Sequence, residues 1–129
     1  MSKLIAIVAA LLLLVGCGAK GNNKDLGYKQ ISQDEAKTIM ESEKDYIILD
    51  VRRPDEYSEG HIKGAINLPN ETIGTEEIKE LPEKDQLILV YCRSGNRSKQ
   101  ASTKLVELGY TNIQEFGGIN TWTGEIVSE

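Results

Sequence analysis

The chain is poor in the residues that build metal and redox sites. It holds one histidine and two cysteines in 129 residues. No group of His, Cys, Asp and Glu has metal-ligand spacing, so no metal is expected. No glycine-rich nucleotide loop is present, and no cofactor is implied. Two cysteines cannot staple a disulfide scaffold. Basic residues are outnumbered, 15 Lys+Arg against 20 Asp+Glu, for a net charge of −5. That balance argues against nucleic acid or anionic lipid as a partner of the whole surface. No internal repeat or low-complexity block occurs. The longest apolar run, Leu4 to Val15, stops short of the roughly 20 residues a membrane-spanning helix needs.

That run has a different reading. Lys3, the apolar stretch and then Leu14-Val15-Gly16-Cys17 have the layout of a secretory signal. The ending resembles a bacterial lipoprotein lipobox, which implies cleavage before Cys17 and diacylation of its thiol. Residues 1–16 are therefore expected to be a lipoprotein signal peptide. Residues 17–27 would be a lipidated cysteine and flexible tether, Gly/Asn-rich and without apolar period. Such a protein would be exported and held by its lipid on the outer face of a bacterial membrane, at the cell surface or periplasmic side. Processing removes one of the 15 basic residues and no acidic one, which takes the net charge from −5 to −6. It also leaves Cys92 as the single unmodified thiol.

Residues 28–129 suit one compact domain. Tyr28 to Ile31 reads as a short strand, and Ser32 with Glu35 as a capping box opening a helix whose buried face carries Ala36, Ile39 and Met40. Tyr46 to Val51 and Gln86 to Tyr91 are apolar, β-branched strands. Pro54 to Ser58 reads as a short helix, Ala65 to Leu68 as a strand and Glu76 to Leu81 as a weak helix before Pro82. Ser98 to Leu108 reads as a helix stopped by Gly109, and Ile113 to Phe116 as the last strand. Gly117-Gly118 then makes a turn, and Ile119 to Trp122 a final helical turn. Alternating strands and helices define an α/β class with a mainly parallel sheet covered on both faces.

The chemistry concentrates in Cys92-Arg93-Ser94-Gly95-Asn96-Arg97-Ser98. Cys92 ends a strand where ligands bind in parallel sheets, and the loop runs straight into a helix amino terminus. Backbone N–H groups, the helix dipole and two arginines all favour the thiolate, the nucleophilic form. A buried inert thiol has no need of that setting.

Three stretches carry a family resemblance: Leu49-Asp50-Val51-Arg52 with Glu56-Tyr57, then Gly60-His61-Ile62-Lys63-Gly64-Ala65-Ile66-Asn67-Leu68-Pro69, then Val90 to Ser98 with Gly117-Gly118 and Trp122 behind it. In this order the chain resembles the single-domain rhodanese-like sulfurtransferases. The resemblance implies a five-stranded parallel sheet flanked by helices, and a Cys92 that carries a sulfane sulfur as a persulfide. It implies a small anionic sulfur donor such as thiosulfate, and cyanide, a thiol or a thiol-carrying protein as acceptor. Arg93, Ser94, Gly95, Asn96, Arg97 and Ser98 would surround the sulfur. Arg93 is expected at the mouth and Arg97 to be partly structural.

Weaker candidates remain. Asp50 and Arg52 stand at a strand end as site lining or scaffold, with Arg52 expected to pair with Glu56 four residues on. His61 reads as a hydrogen-bonding turn residue rather than a base, and Trp122 as core. Two other classes stay open: a Cys-dependent phosphatase or arsenate reductase, and a non-catalytic sulfur carrier or redox sensor. Phosphatase loops place an arginine six positions after the cysteine, where this chain has Ser98.

Overall fold

The computed structural model describes residues 25–129. Its main sheet has five strands: β1 (Lys29–Gln30), β2 (Tyr46–Asp50), β4 (Ile66–Asn67), β5 (Leu87–Cys92) and β6 (Ile113–Gly118). Their spatial order is β1-β6-β5-β2-β4, and every pair is parallel. The two central strands are the most apolar, as expected where both faces are covered. Ile88, Val90 and Cys92 of β5 face one core with Leu49, Val51 and Ile113. Ala101 and Leu105 of α3 (Asn96–Glu107) close that side. Leu89 and Tyr91 face the opposite core, closed by Ala36, Ile39 and Met40 of α1 (Gln33–Ser42) and Tyr57 of α2 (Pro54–Glu59). Each large side chain so buried contributes about 1.5–3 kcal/mol.

Local signals account for most boundaries. The Ser32 hydroxyl accepts the Glu35 N–H at 3.0 Å and the Glu35 carboxylate accepts the Ser32 N–H at 2.8 Å, a reciprocal cap on α1. Pro54 stands in the first turn of α2, and the Glu56 carboxylate caps its start by accepting the Arg53 N–H at 3.0 Å.

Several elements differ from the sequence reading, among them Gly117-Gly118, which continues β6 rather than making a turn. Glu76 to Leu81 is not a helix; a turn in which Leu81 N–H donates to the Ile78 carbonyl carries Leu81 into the core. Six residues ending at a proline cannot offset helix nucleation, and the apolar pair is satisfied without it. A 3₁₀ turn lies earlier, at Asn70–Thr72. The helix α3 starts two residues sooner than expected, directly on the Cys92 loop. Finally, β3 (His61–Ile62) and β7 (Ile126–Val127) form a small antiparallel pair whose partners lie far apart in sequence.

Candidate active site

Cys92 closes β5, is buried, and is the one free cysteine among the described residues. The chain after it curls over its own strand end. Gly95 takes φ of +113°, a conformation that favours glycine, and this turns its N–H onto the Cys92 Sγ at 3.0 Å. Gly95 is also the amino cap of α3, so the first-turn amides of Asn96, Arg97 and Ser98 have no acceptor within the helix. Gly118 supports the loop from behind: a β-carbon there would collide with the Arg93 carbonyl, which also accepts the Asn120 N–H. Arg93, Ser94 and Asn96 are exposed, while Gly95 and Ser98 are buried. The Gly95 N–H thus faces the sulfur, and the Arg93 side chain is exposed.

Arg97 is tied down. Its guanidinium forks onto the Glu56 carboxylate, Nη1–Oε1 at 2.7 Å and Nη2–Oε2 at 3.1 Å. That charged hydrogen bond holds the Glu56 carboxyl down to about 2, against the opposing effect of burial. The Arg52–Glu56 pairing expected from four-residue spacing does not form. Arg52 turns back on Asp50, with Nη2–Oδ2 at 2.7 Å and Nε–Oδ1 at 3.0 Å, and caps the Gly60 carbonyl. It stands before α2 rather than on it, so helical spacing never applied.

Asp50 is fully buried and also accepts the Tyr91 hydroxyl at 2.6 Å. Burial, and then the Asp50 carboxylate, push the Tyr91 hydroxyl far above its ordinary range, so it stays protonated. The same oxygen accepts the Ile62 N–H at 3.0 Å. Because Tyr91 and Cys92 are successive strand residues, this knot lies on the face away from the thiol. Asp50 and Arg52 are scaffold. His61 stacks on Tyr57 with ring centroids 3.7 Å apart, and its Nδ1–H donates to the Tyr57 carbonyl at 2.8 Å. Trp122 packs on Phe116.

The rhodanese-like domain family matches residues 32–125. The chain belongs to the rhodanese-like family. Thiosulfate sulfurtransferase PspE of Escherichia coli strain K12 is 38% identical over 71 residues, covering 55% of this chain and 68% of the relative. Thiosulfate sulfurtransferase GlpE of Coxiella burnetii is 38% identical over 96 residues, covering 74% and 87%. Among solved structures, the rhodanese-like domain of Anabaena protein Alr3790 superposes with a TM-score of 0.70 at 30% identity over 78% of this chain and 79% of the other. A rhodanese from E. coli solved with anions has a TM-score of 0.60 at 33% identity, covering 65% and 99%. The chain is a rhodanese-type sulfurtransferase.

One residue of this rhodanese site escaped the sequence reading. Glu115 in β6 is buried on the Cys92 face, and its Oε2 accepts the Ser98 hydroxyl at 2.5 Å and the Gly117 N–H at 3.0 Å. The available signal was an acid two positions after Ile113, in step with that buried residue along the strand. The expected signal peptide over residues 1–16, Cys17 and most of the expected tether lie outside the described residues.

Proposed function

We propose that the protein transfers a sulfane sulfur from a small anionic donor such as thiosulfate to cyanide or a thiol, through a persulfide on Cys92. The Cys92 thiolate attacks the outer sulfur of the donor. The new Sγ–S bond forms as the donor's S–S bond breaks, and sulfite leaves with the bonding pair. The transferred sulfur stays as an anion on Sγ. The acceptor's nucleophile then attacks that sulfur and Cys92 leaves as thiolate. Two half-reactions sharing one covalent intermediate give ping-pong kinetics. The observation that carries this reading is the buried Cys92 at the end of β5 with the Gly95 N–H on its Sγ at 3.0 Å, a backbone donor suited to an anionic sulfur.

The same loop disfavours phosphate. A tetrahedral phosphoryl group needs a wider ring and a forked guanidinium. Position 98 is a buried serine and the fork of Arg97 is occupied by Glu56. The test is turnover of thiosulfate with cyanide by soluble protein beginning after Cys17, with p-nitrophenyl phosphate in parallel. Thiocyanate formation that disappears in Cys92→Ser is expected. Phosphatase activity without thiocyanate would refute the reading.

The lipobox-like Leu14-Val15-Gly16-Cys17 supports a second part of the proposal, that the enzyme works outside the cytoplasmic membrane on a lipid anchor at Cys17. Two acyl chains suffice for stable anchoring. Intact mass of the native protein should begin at a diacylated Cys17, and a chain beginning at Met1 overturns it.

A further inference from the structure

Glu115 has a consequence for when Cys92 can act. It is 3% exposed, and no lysine or arginine forms an ion pair with it among the described residues. Its only hydrogen-bond donors there are neutral, the Ser98 hydroxyl and the Gly117 N–H. Ser98 has one proton and three candidate acceptors, Glu115 Oε2 at 2.5 Å, the Gly95 carbonyl at 3.0 Å and the Gly117 carbonyl at 3.5 Å, while its oxygen stands 3.5 Å from the Cys92 thiol as an acceptor. The short bond to a carboxylate takes the proton. The Ser98 oxygen that remains facing Sγ is then a lone pair. It can receive S–H from a thiol and it repels a thiolate. The carboxylate charge, one hydroxyl away, acts in the same direction.

Other groups face this chain. Gly95 N–H, the start of α3, Arg93 and the Glu56-bound Arg97 favour the thiolate, while Lys99 lines a cleft of about 560 Å³ with Glu115 without pairing to it. From α1 the cleft receives only uncharged Gln33, held by the Phe116 and Gly118 carbonyls. Arg93 and Lys99 are exposed and Arg97 is held by Glu56, whereas the acid is buried.

We propose that Glu115 is a positioning residue which, through Ser98, holds Cys92 as a thiol in the resting protein and sets the pH at which it becomes nucleophilic. Ionisation sends the thiol proton to solvent, and two negative charges then confront each other across one hydroxyl. The proposal rests on Cys92 being the nucleophile, and concerns a residue that never touches the sulfur donor.

The experiment is iodoacetamide labelling of Cys92 against pH in the soluble wild-type domain, Glu115→Gln and Glu115→Asp. Both contacts of Glu115 fall on Oε2, and the amide oxygen of glutamine can accept both while the carboxylate charge is removed. The labelling midpoint should fall by about one pH unit in Glu115→Gln, or about tenfold faster labelling below it. Aspartate restores the charge and should move the midpoint back. A residue that only supports the fold would change the melting temperature and leave the midpoint where it is. The wild-type protein supplies a second readout that survives a variant that does not fold: an infrared S–H band at neutral pH, absent in Cys92→Ser. An unchanged or raised midpoint in folded Glu115→Gln, or no S–H band in the wild type, overturns the proposal. Neither measurement uses a sulfur donor. Failure to turn over thiosulfate would sink the sulfur-transfer reading and leave this one standing.

Discussion

Two buried acids sit on opposite faces of the same sheet, and they are treated differently. Asp50 meets a full guanidinium fork from Arg52 and a hydroxyl from Tyr91. Glu115 meets a serine hydroxyl and one backbone N–H. A buried carboxylate with a matching cation is a locked joint, and removing either partner strands a charge. A buried carboxylate answered only by neutral dipoles remains an active electrostatic source. The first lies on the Tyr91 side, away from chemistry. The second lies one hydroxyl from the thiol. Charge compensation thus distinguishes the two acids where burial does not, since Asp50 and Glu115 are both buried.

Substitutions on the two faces should fail in different ways. Cys92→Ser should reduce thiocyanate formation to background while the melting temperature stays near wild type. Residual turnover would mean that the sulfur is carried elsewhere. On the opposite face, Asp50→Ala strands Arg52 and should cost about 3–5 kcal/mol of unfolding free energy in urea titrations. The protein that remains folded should label at Cys92 with the wild-type pH midpoint; a shifted midpoint would show that the two faces are coupled.

Arg97→Ala lies between these extremes. It removes the fork on Glu56 and should destabilise by about 1–3 kcal/mol. The acid limb sharpens the test. Glu56 sits near 2 in the folded protein against an ordinary value of 4.5. A lowered folded value means the stabilisation is fully present above about pH 4.5 and is lost as pH falls toward 2. Urea midpoints measured across that window should fall less steeply in Arg97→Ala than in wild type. Equal slopes would mean that Arg97 is not what holds Glu56.

The smallest effect belongs to Arg93→Ala. The side chain is exposed and makes no ion pair among the described residues, so stability should change by no more than about 0.5 kcal/mol. The KM for thiosulfate should rise about fivefold, the scale of one exposed ionic contact, with kcat little changed and with the difference shrinking at high salt. A loss confined to kcat would place Arg93 in the chemical step instead.

Periodicity and caps made most of this molecule readable in advance. The alternation in Leu87–Cys92 assigns Cys92 to one core and Tyr91 to the other, and the Ser32/Glu35 box starts α1 as its residues require. The Cys92 loop was legible because strand, loop and helix are contiguous, so the donor on its sulfur, the Gly95 N–H, lies three positions along the chain. Reading failed where the partner is remote or the segment is short. The Arg52–Glu56 pairing followed from spacing along a helix that Arg52 does not occupy, and the true partners, Asp50–Arg52 and Glu56–Arg97, follow from how β2, α2 and α3 converge. The segment from Glu76 to Leu81 has helix-forming residues but no length, and long-range burial of Leu81 decided its shape.

What the residues determine by themselves is the local chemistry: a strand that ends in a thiol, a glycine that can take φ of +113°, and a helix whose first amides follow at once. These depend on contacts within a few residues, which composition and order already specify. Which charges meet is decided only by the tertiary structure. Glu115 reaches Ser98 because β6 lies beside β5 in the sheet, 17 positions away along the chain, and Arg97 reaches Glu56 across 41. Hydrogen bonds and ion pairs are short-ranged, so the balance of charge at Cys92 exists only once the sheet has brought those strands together.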